Sequence, residues 1–325
     1  MTLDRRSLLR LAAAGAVAPL LGREVARRPA SGARAAALAL VTADEDGYVA
    51  EVDLAHRHIA RRIATLDGPR SIEGRTGAGA LVGHATEGAV TLLDGSPLRV
   101  RRVLRGFGEP RYAAITPGGA HAFVTDSARG ELAVLDLRRG RVVRRLEVGA
   151  GARHLTLEPA GRTVWIALGS TAAILVVVDV SDPLAPRVVR RVAPPFGAHD
   201  VAFSPSGRRV WVTGGRTASL ALYRAAASRP AAVLAAGAAP QHVAFGPDAA
   251  YVASGEGRSL TVHALDDGRV RRRAAVPLGS YNVARGAYGV LTPSLGSGAL
   301  TVLDGAGRVR WAVTIAGAAH DACLL

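Results

Sequence analysis

Four histidines occupy repeated sequence positions that also carry aspartates, and this combination could bind a metal ion. The triplet Ala-His-Asp occurs twice, at residues 198–200 and 319–321, and His154 and His242 hold matching places in other copies of the same motif. Histidine nitrogens and carboxylate oxygens that converge on an open pocket are typical metal ligands. A bound ion could then activate water for hydrolysis. The sequence leaves three roles open for these residues: structural hydrogen bonding, binding of a ligand without metal, and metal binding.

These residues belong to a motif with seven copies, and each copy begins with two residues that are mostly polar. The clearest copy, residues 199–213, reads HDVAFSPSGRRVWVT and predicts two apolar strands joined by a turn with Pro and Gly. The first position holds Arg70, Arg111, Arg153, His199, Gln241, Tyr281 and His320. The second position holds Ser71, Tyr112, His154, Asp200, His242, Asn282 and Asp321. Four of the nine histidines fall at these positions, which is more than chance would place there.

The spacing of the copies indicates a repeat fold. Their second positions are 41, 42, 46, 42, 40 and 39 residues apart, and a length of this size accommodates the four short strands of one propeller blade. Residues 37–66 supply three strands without a first one, and residues 319–325 supply a first strand alone. Joined, they complete a blade and leave no free sheet edge. We therefore predict an all-β, seven-bladed β-propeller closed by pairing of the C-terminal strand with the N-terminal strands. A different blade number and a pair of β-sandwiches are the alternatives.

The second strands of the copies carry a recurring segment. It reads FVT at 123–125, WIA at 165–167, WVT at 211–213 and YVA at 251–253. These segments resemble the YVTN repeat family of WD40-like propellers, and the resemblance covers nearly all of the chain after the leader. Members of that family include surface-layer and periplasmic binding proteins, and its relatives include lactonase-type hydrolases and redox enzymes. Because a fold does not specify an activity, the resemblance leaves the function open.

The N-terminus has the pattern of an export signal. The basic segment DRRSLLR at residues 4–10 precedes an uncharged apolar stretch from Leu11 to Gly22. The paired arginines resemble a twin-arginine (Tat) signal, with Asp4 and Leu8 in place of the usual hydroxyl residue and Phe. We therefore predict a signal peptide over residues 1–35 and a propeller over residues 36–325. The predicted location is the periplasm, the extracellular space or the cell surface. The apolar stretch is too short to cross a bilayer, so we expect no transmembrane span in the mature protein.

The basic composition does not by itself indicate a nucleic-acid partner. All 41 basic residues are Arg and the formal net charge is +15, which together with abundant Ala and Gly indicates GC-rich coding. Pairs such as Arg190-Arg191 lie on predicted fourth strands at the outer rim, where charge protects an exposed edge. Aromatic residues that would stack on bases are scarce on those strands. Arg70, Arg111 and Arg153, on three consecutive blades, could instead form an anion-binding sector at the channel mouth.

We predict a non-catalytic exported binding protein, monomeric, that engages a small ligand or a protein partner at the mouth of the central channel. The candidate ligand-binding residues are His154, His199, Asp200, His242, His320, Asp321, Arg70, Arg111, Arg153, Tyr112 and Asn282. One alternative is a metal-assisted hydrolase or lactonase-like enzyme centred on His154, Asp200, His242, His320 and Asp321; the other is a structural cell-surface scaffold. The only cofactor that the patterns suggest is a metal ion at the mouth. Adjacent strand residues face opposite sides, so the sequence leaves open which of the two positions faces the channel.

Overall fold

Short apolar segments that alternate with turns determine the architecture. The computed structural model describes residues 37–75 and 79–325, which form seven four-stranded antiparallel sheets. Successive strands are joined by tight turns in which glycine often adopts the left-handed conformation, as Gly88 does with φ 56°. The described residues contain no helix. The predicted all-β, seven-bladed propeller is therefore confirmed.

The strands of the first four blades follow chain order, apart from the closing strand of blade 1. Blade 1 contains β1 (Leu38–Ala43), β2 (Tyr48–Asp53), β3 (His58–Ala64) and β28 (Ala319–Leu324). Blade 2 contains β4 (Pro69–Arg75), β5 (Gly79–His84), β6 (Ala89–Asp94) and β7 (Arg99–Arg105). Blade 3 contains β8 (Pro110–Ile115), β9 (His121–Asp126), β10 (Glu131–Asp136) and β11 (Arg141–Glu147). Blade 4 contains β12 (Ala152–Leu157), β13 (Thr163–Leu168), β14 (Leu175–Asp179) and β15 (Arg187–Val192).

The remaining three blades have shorter first strands. Blade 5 contains β16 (Val201–Phe203), β17 (Arg209–Thr213), β18 (Ser219–Arg224) and β19 (Pro230–Ala235). Blade 6 contains β20 (Val243–Phe245), β21 (Ala249–Ser254), β22 (Ser259–Ala264) and β23 (Val270–Ala275). Blade 7 contains β24 (Ala284–Gly286), β25 (Gly289–Pro293), β26 (Ala299–Leu303) and β27 (Val309–Thr314).

The two ends of the described chain share blade 1. Its strand order is β28-β1-β2-β3, and β28 pairs antiparallel with β1, with Leu40 opposite Cys323 and Val41 opposite Ala322. This pairing is the predicted ring closure, and it gives β1 a hydrogen-bonded neighbour on both sides.

The hydrophobic core lies between adjacent blades. Trp165 of blade 4 is fully buried and its ring centroid lies 5.7 Å from that of Tyr223 in blade 5. Trp211 of blade 5 is fully buried and packs in the same way against Phe245 of blade 6, at 5.6 Å. Each blade therefore covers the apolar face of its neighbour, as in other repeat folds.

The fourth strand of every blade shifts register at the same place. In several blades the residue just after the shift is an arginine that bonds to the next blade. In blades 1 and 4 this residue is Arg61 and Arg190. Arg61 Nη1 donates to the Leu98 carbonyl at 2.8 Å, and Arg190 Nη2 donates to the Ala225 carbonyl at 2.9 Å. The interpretation of these arginines as a solvated rim is therefore incomplete, because they also connect adjacent blades.

Two further predictions concern the signal peptide and membrane-spanning segments. The predicted signal peptide, residues 1–35, lies outside the described residues. Within residues 37–75 and 79–325, no helix is long and apolar enough to span a bilayer.

Candidate functional site

The central channel contains a cavity of about 370 Å³ that is lined by the first strands of all seven blades. Six of the seven second-position residues line it: Ser71, Tyr112, Asp200, His242, Asn282 and Asp321. None of the first-position residues does so. The second position therefore faces the channel, which the sequence had left open. His154 is the exception, since it is only 1% exposed and is not among the residues that line the cavity.

The strands begin irregularly at these positions. In blade 4 the pairing of β12 with β13 shifts register around His154. In blades 5 and 6 the first strands start at the residue directly after Asp200 and His242. Interrupted pairing redirects side chains, and this allows side chains from separate blades to meet.

Threonines on the second strands hold the strand starts in place. Thr213 Oγ1 accepts a hydrogen bond from the Asp200 amide at 3.0 Å and donates to the Gln241 carbonyl of the next blade at 2.7 Å. Thr125 Oγ1 likewise accepts from the Tyr112 amide at 3.2 Å. This role was not predicted from the sequence, although the Thr that recurs in the FVT and WVT segments indicates a repeated structural contact.

Three consecutive blades bring His154, His199 and His242 together, and we call these residues the histidine cluster. One ligand nitrogen from each lies within 4.8 Å of the other two. The ring centroids of His154 and His199 are 4.4 Å apart, and those of His154 and His242 are 4.9 Å apart. The Tyr112 ring packs against His154 at 4.5 Å. Chemically, the cluster offers up to three imidazole nitrogens to one small ligand.

Hydrogen bonds determine which nitrogens of the cluster are available. His199 Nδ1 lies 3.0 Å from the Ser170 carbonyl oxygen, which can only accept, so Nδ1 carries the proton and Nε2 keeps a lone pair. His242 Nδ1 lies 3.3 Å from Asp200 Oδ2, and its Nε2 lies 3.3 Å from the Tyr112 hydroxyl. Asp200 also accepts from the Val201 amide at 2.8 Å, which orients its carboxylate. In His199 and His242, Nε2 is therefore the nitrogen that keeps a lone pair.

His154 differs from the other deeply buried histidines. His84 bonds the Asp67 carbonyl at 3.1 Å and the Thr91 hydroxyl at 3.0 Å. His263 likewise bonds a backbone carbonyl at 2.7 Å and a threonine hydroxyl at 2.8 Å. Neither nitrogen of His154 has a hydrogen-bond partner within residues 37–75 and 79–325, and both atoms are buried. Buried polar atoms in native proteins are normally paired, so this imidazole requires an explanation.

Two of the three cluster histidines have pKa values that favour the uncharged form. Burial, followed by the neighbouring imidazoles of His199 and His242, lowers the pKa of His154 well below its usual value. Burial and then His242 lower the pKa of His199 to about 4. Burial raises the pKa of Tyr112, so its hydroxyl keeps a proton to donate to His242 Nε2. At neutral pH, His154 and His199 are in the uncharged form that binds metal ions.

The arginines predicted at the mouth are mostly paired. Arg70 Nη1 lies 2.8 Å from Asp44 Oδ2, and Arg111 forms an ion pair with Glu109. Arg153 forms no ion pair with any residue that the structure describes, and its buried Nε has no hydrogen-bond partner. Of the three arginines of the predicted anion-binding sector, only Arg153 is left without a carboxylate partner in the described part of the chain.

The predicted site residues of blades 7 and 1 bond to backbone groups. His320 Nδ1 donates to the Arg70 carbonyl, and Asp321 Oδ2 accepts from the Ile72 amide at 3.0 Å. Asn282 Nδ2 donates to the His320 carbonyl at 2.9 Å. Neither His320 nor Asp321 belongs to the histidine cluster. The structure therefore divides the residues of the hydrolase alternative into two groups.

Comparison with solved structures places this fold among propellers of low sequence identity. A protein of unknown function from Desulfotomaculum acetoxidans has a TM-score of 0.78 at 12% identity, covering 89% of this chain and 98% of that one. A candidate 6-phosphogluconolactonase from Bacteroides uniformis has a TM-score of 0.73 at 12% identity, covering 89% and 99%. The apo form of AztD from Citrobacter koseri has a TM-score of 0.68 at 12% identity, covering 89% and 98%.

Similarity at this level shows the fold alone. No protein-family model matches the chain, and no curated protein matches it in sequence. The resemblance to the YVTN family therefore stays a prediction.

Proposed function

We propose that this protein is an exported, non-catalytic binding protein whose ligand is a transition-metal ion held by the histidine cluster. The observation that carries the proposal is His154, a buried imidazole with both nitrogens unpartnered, whose ligand nitrogen lies within 4.8 Å of those of two further histidines. A metal ion would supply the partner that His154 lacks. The non-catalytic form is preferred because both His154 nitrogens are buried, which restricts the access of a substrate to an ion bound there.

The distances are compatible with binding after a small adjustment. Nitrogen ligands lie about 2.0–2.1 Å from zinc, which places tetrahedral ligands roughly 3.3 Å apart. The cluster nitrogens, now within 4.8 Å of one another, would approach by side-chain rotation. The Ser170 carbonyl accepts a hydrogen bond from His199 Nδ1, and the Asp200 carboxylate lies 3.3 Å from His242 Nδ1. Such contacts typically orient metal-bound imidazoles.

The donor set narrows the choice of ion. Three imidazole ligands suit Zn²⁺, Cu²⁺ or Ni²⁺, whereas Ca²⁺ and Mg²⁺ require oxygen ligands. The cluster contains no thiolate and no carboxylate that would add negative charge to the first coordination sphere. We therefore use Zn²⁺ as the first probe and Ca²⁺ as the negative comparison.

Titration of the full-length protein with Zn²⁺ by isothermal calorimetry tests the proposal. The expected result is one ion per chain, with affinity at least 100-fold weaker in His154→Ala and in His242→Ala. The matched control is the double variant H56A/H58A, which removes an exposed histidine pair on blade 1 and should bind as the wild type does. Equal binding by wild type and both cluster variants would overturn the proposal.

A metal-assisted hydrolase remains the second candidate because three protein ligands leave a fourth coordination position, as in catalytic zinc sites. Hydrolysis of simple lactones and esters by the zinc-loaded protein, abolished in His154→Ala, would favour the enzyme. Zinc binding without such hydrolysis favours the binding protein, and no zinc binding favours the structural scaffold.

A further inference from the structure

A second and larger cavity lies at the opposite end of the first strands from the histidine cluster. It is an open groove of about 1220 Å³, formed by the end of β4, the β8–β9 turn and the β10–β11 turn. Glu73 and Gly74 line both this groove and the channel cavity, so the groove adjoins the far end of the channel. The groove exceeds the usual 300–1,000 Å³ of a small-molecule site and can accommodate several linked groups.

The groove carries a large excess of positive charge. Its lining includes Arg75, Arg101, Arg138, Arg139, Arg141 and Arg144. Asp136 pairs with Arg139 at 2.6 Å, and Asp94 Oδ2 is shared by Arg101 at 3.4 Å and Arg75 at 3.9 Å. The other three guanidinium groups form no ion pair with any described residue. Six arginines and two paired carboxylates leave about four uncompensated positive charges.

The acidic residue at the inner end of the groove does not offset this charge. Burial and the Asp321 carboxylate raise the pKa of Glu73 to about 8, so its carboxyl group is mostly protonated at neutral pH. A concave site lined by one sign of charge focuses the electric field and concentrates ligands of the opposite sign.

Parts of the groove wall are held rigidly before any ligand arrives. Arg101 Nη1 donates to the Leu137 carbonyl at 3.0 Å, which fixes its guanidinium group against the β10–β11 turn. Asp136 Oδ1 accepts from the Arg139 amide at 2.8 Å and closes that turn. The turn that presents Arg138 and Arg141 is therefore ordered by its own hydrogen bonds, which reduces the entropy lost on binding.

We propose that this groove binds an oligoanion, a ligand with several linked phosphate or carboxylate groups. Arginine forks match both groups in bidentate geometry. The three unpaired arginines lie on one turn and the strand that follows it, so a chain of anionic groups could contact them in succession. This site is independent of the histidine cluster and does not require a bound metal.

Calorimetric titration of the full-length protein at physiological ionic strength, with inorganic tripolyphosphate and separately with citrate, tests the proposal. We expect one-to-one binding of at least one probe. Tighter binding of tripolyphosphate would identify phosphate as the preferred group, and tighter binding of citrate would identify carboxylate. The variant R138Q/R141Q/R144Q should bind at least tenfold more weakly than the wild type.

The control is R208Q/R224Q/R229Q, which removes the same charge from exposed positions on blade 5. It should bind within twofold of the wild type. Equal weakening in the two triple variants would mean unspecific attraction to a basic protein and would overturn the proposal. Absence of binding by both probes would overturn it as well.

Discussion

At the scale of single residues, the buried histidines differ in whether their nitrogens are hydrogen-bonded. His84 and His263 are buried with both nitrogens bonded, so their imidazoles stabilise the blades that contain them. His154 is equally buried, and its two nitrogens have no hydrogen-bond partner in the described part of the chain. An unpaired buried donor costs about 1–3 kcal/mol. Among the buried histidines of the described residues, only His154 has both nitrogens unpartnered, and it lies next to two other histidines, which is consistent with a residue kept for binding.

This difference predicts opposite effects of the same substitution. His154→Leu removes an unsatisfied polar group and should leave the free energy of unfolding in metal-free buffer unchanged or raise it by about 1 kcal/mol. His263→Leu leaves the Thr261 hydroxyl and the Gly268 carbonyl without their partner and should cost about 2 kcal/mol or more. Urea unfolding in the presence of a chelator measures both. Equal losses in the two variants would contradict our interpretation of His154.

The channel carboxyl Glu73 gives a prediction for pH. Its pKa is raised from 4.5 to about 8, first by burial and then by the Asp321 carboxylate. Between these values the folded state keeps a proton that the unfolded state releases, so stability falls as pH rises through this window. Glu73→Gln should match the wild type near pH 4.5 and exceed its free energy of unfolding by at least about 1 kcal/mol near pH 8. Parallel decline of both proteins in urea unfolding across this range would show that Glu73 is not responsible.

The sequence predicted the residues around the histidine cluster better than it predicted their hydrogen-bond partners. The second position of the repeat predicted His154, Asp200 and His242, because periodicity places equivalent residues around one axis. It could not show that His199, at the other position, turns toward them, since this depends on the irregular start of β16. The bond from His199 to the Ser170 carbonyl was also beyond prediction, because a loop of the preceding blade provides it.

At the scale of elements, a repeated register shift gives the arginines of the fourth strands a structural role. Arg190 donates to the Ala225 carbonyl at 2.9 Å, and its Cζ lies 5.2 Å from the centroid of the buried Trp165 ring. It therefore contacts both its own blade and the next one. The sequence placed such arginines on the fourth strands correctly. It did not predict the contact to the next blade, because a bulge is invisible in an alternating pattern.

This contact predicts unequal effects for two arginines of one strand. Arg190→Ala should lower the free energy of unfolding by about 1–3 kcal/mol, because it removes charge-assisted hydrogen bonds and packing against Trp165. Arg187→Ala, whose side chain is 74% exposed and pairs with Asp179, should change it by less than about 1 kcal/mol. Chemical unfolding of both variants provides the comparison. A smaller loss for Arg190→Ala than for Arg187→Ala would argue against the inter-blade role.

At the scale of the whole molecule, ring closure is what makes the site possible. His154 and His242 are 88 residues apart in sequence, yet their rings lie 4.9 Å apart because both blades face the same axis. The incomplete blades at residues 37–66 and 319–325 were sufficient to predict this closure. The large groove at the other end of the first strands was not predicted, because strands of blade 2 and turns of blade 3 combine to form it.

The two ends of the channel therefore have different chemistry. One end holds neutral imidazoles next to Tyr112, and the other adjoins a groove lined by guanidinium groups. Metal binding would connect blades 4, 5 and 6 and should raise the thermal stability of the ring with ion concentration.

The most direct test of the metal proposal is a crystal structure of the protein grown with zinc, with anomalous data at the zinc absorption edge. Our account predicts one strong peak at the channel mouth, about 2.0–2.1 Å from one nitrogen each of His154, His199 and His242. The Tyr112 hydroxyl should have moved away from His242 Nε2. Zinc peaks that occur only elsewhere, for example at the exposed His56 and His58, would contradict the account.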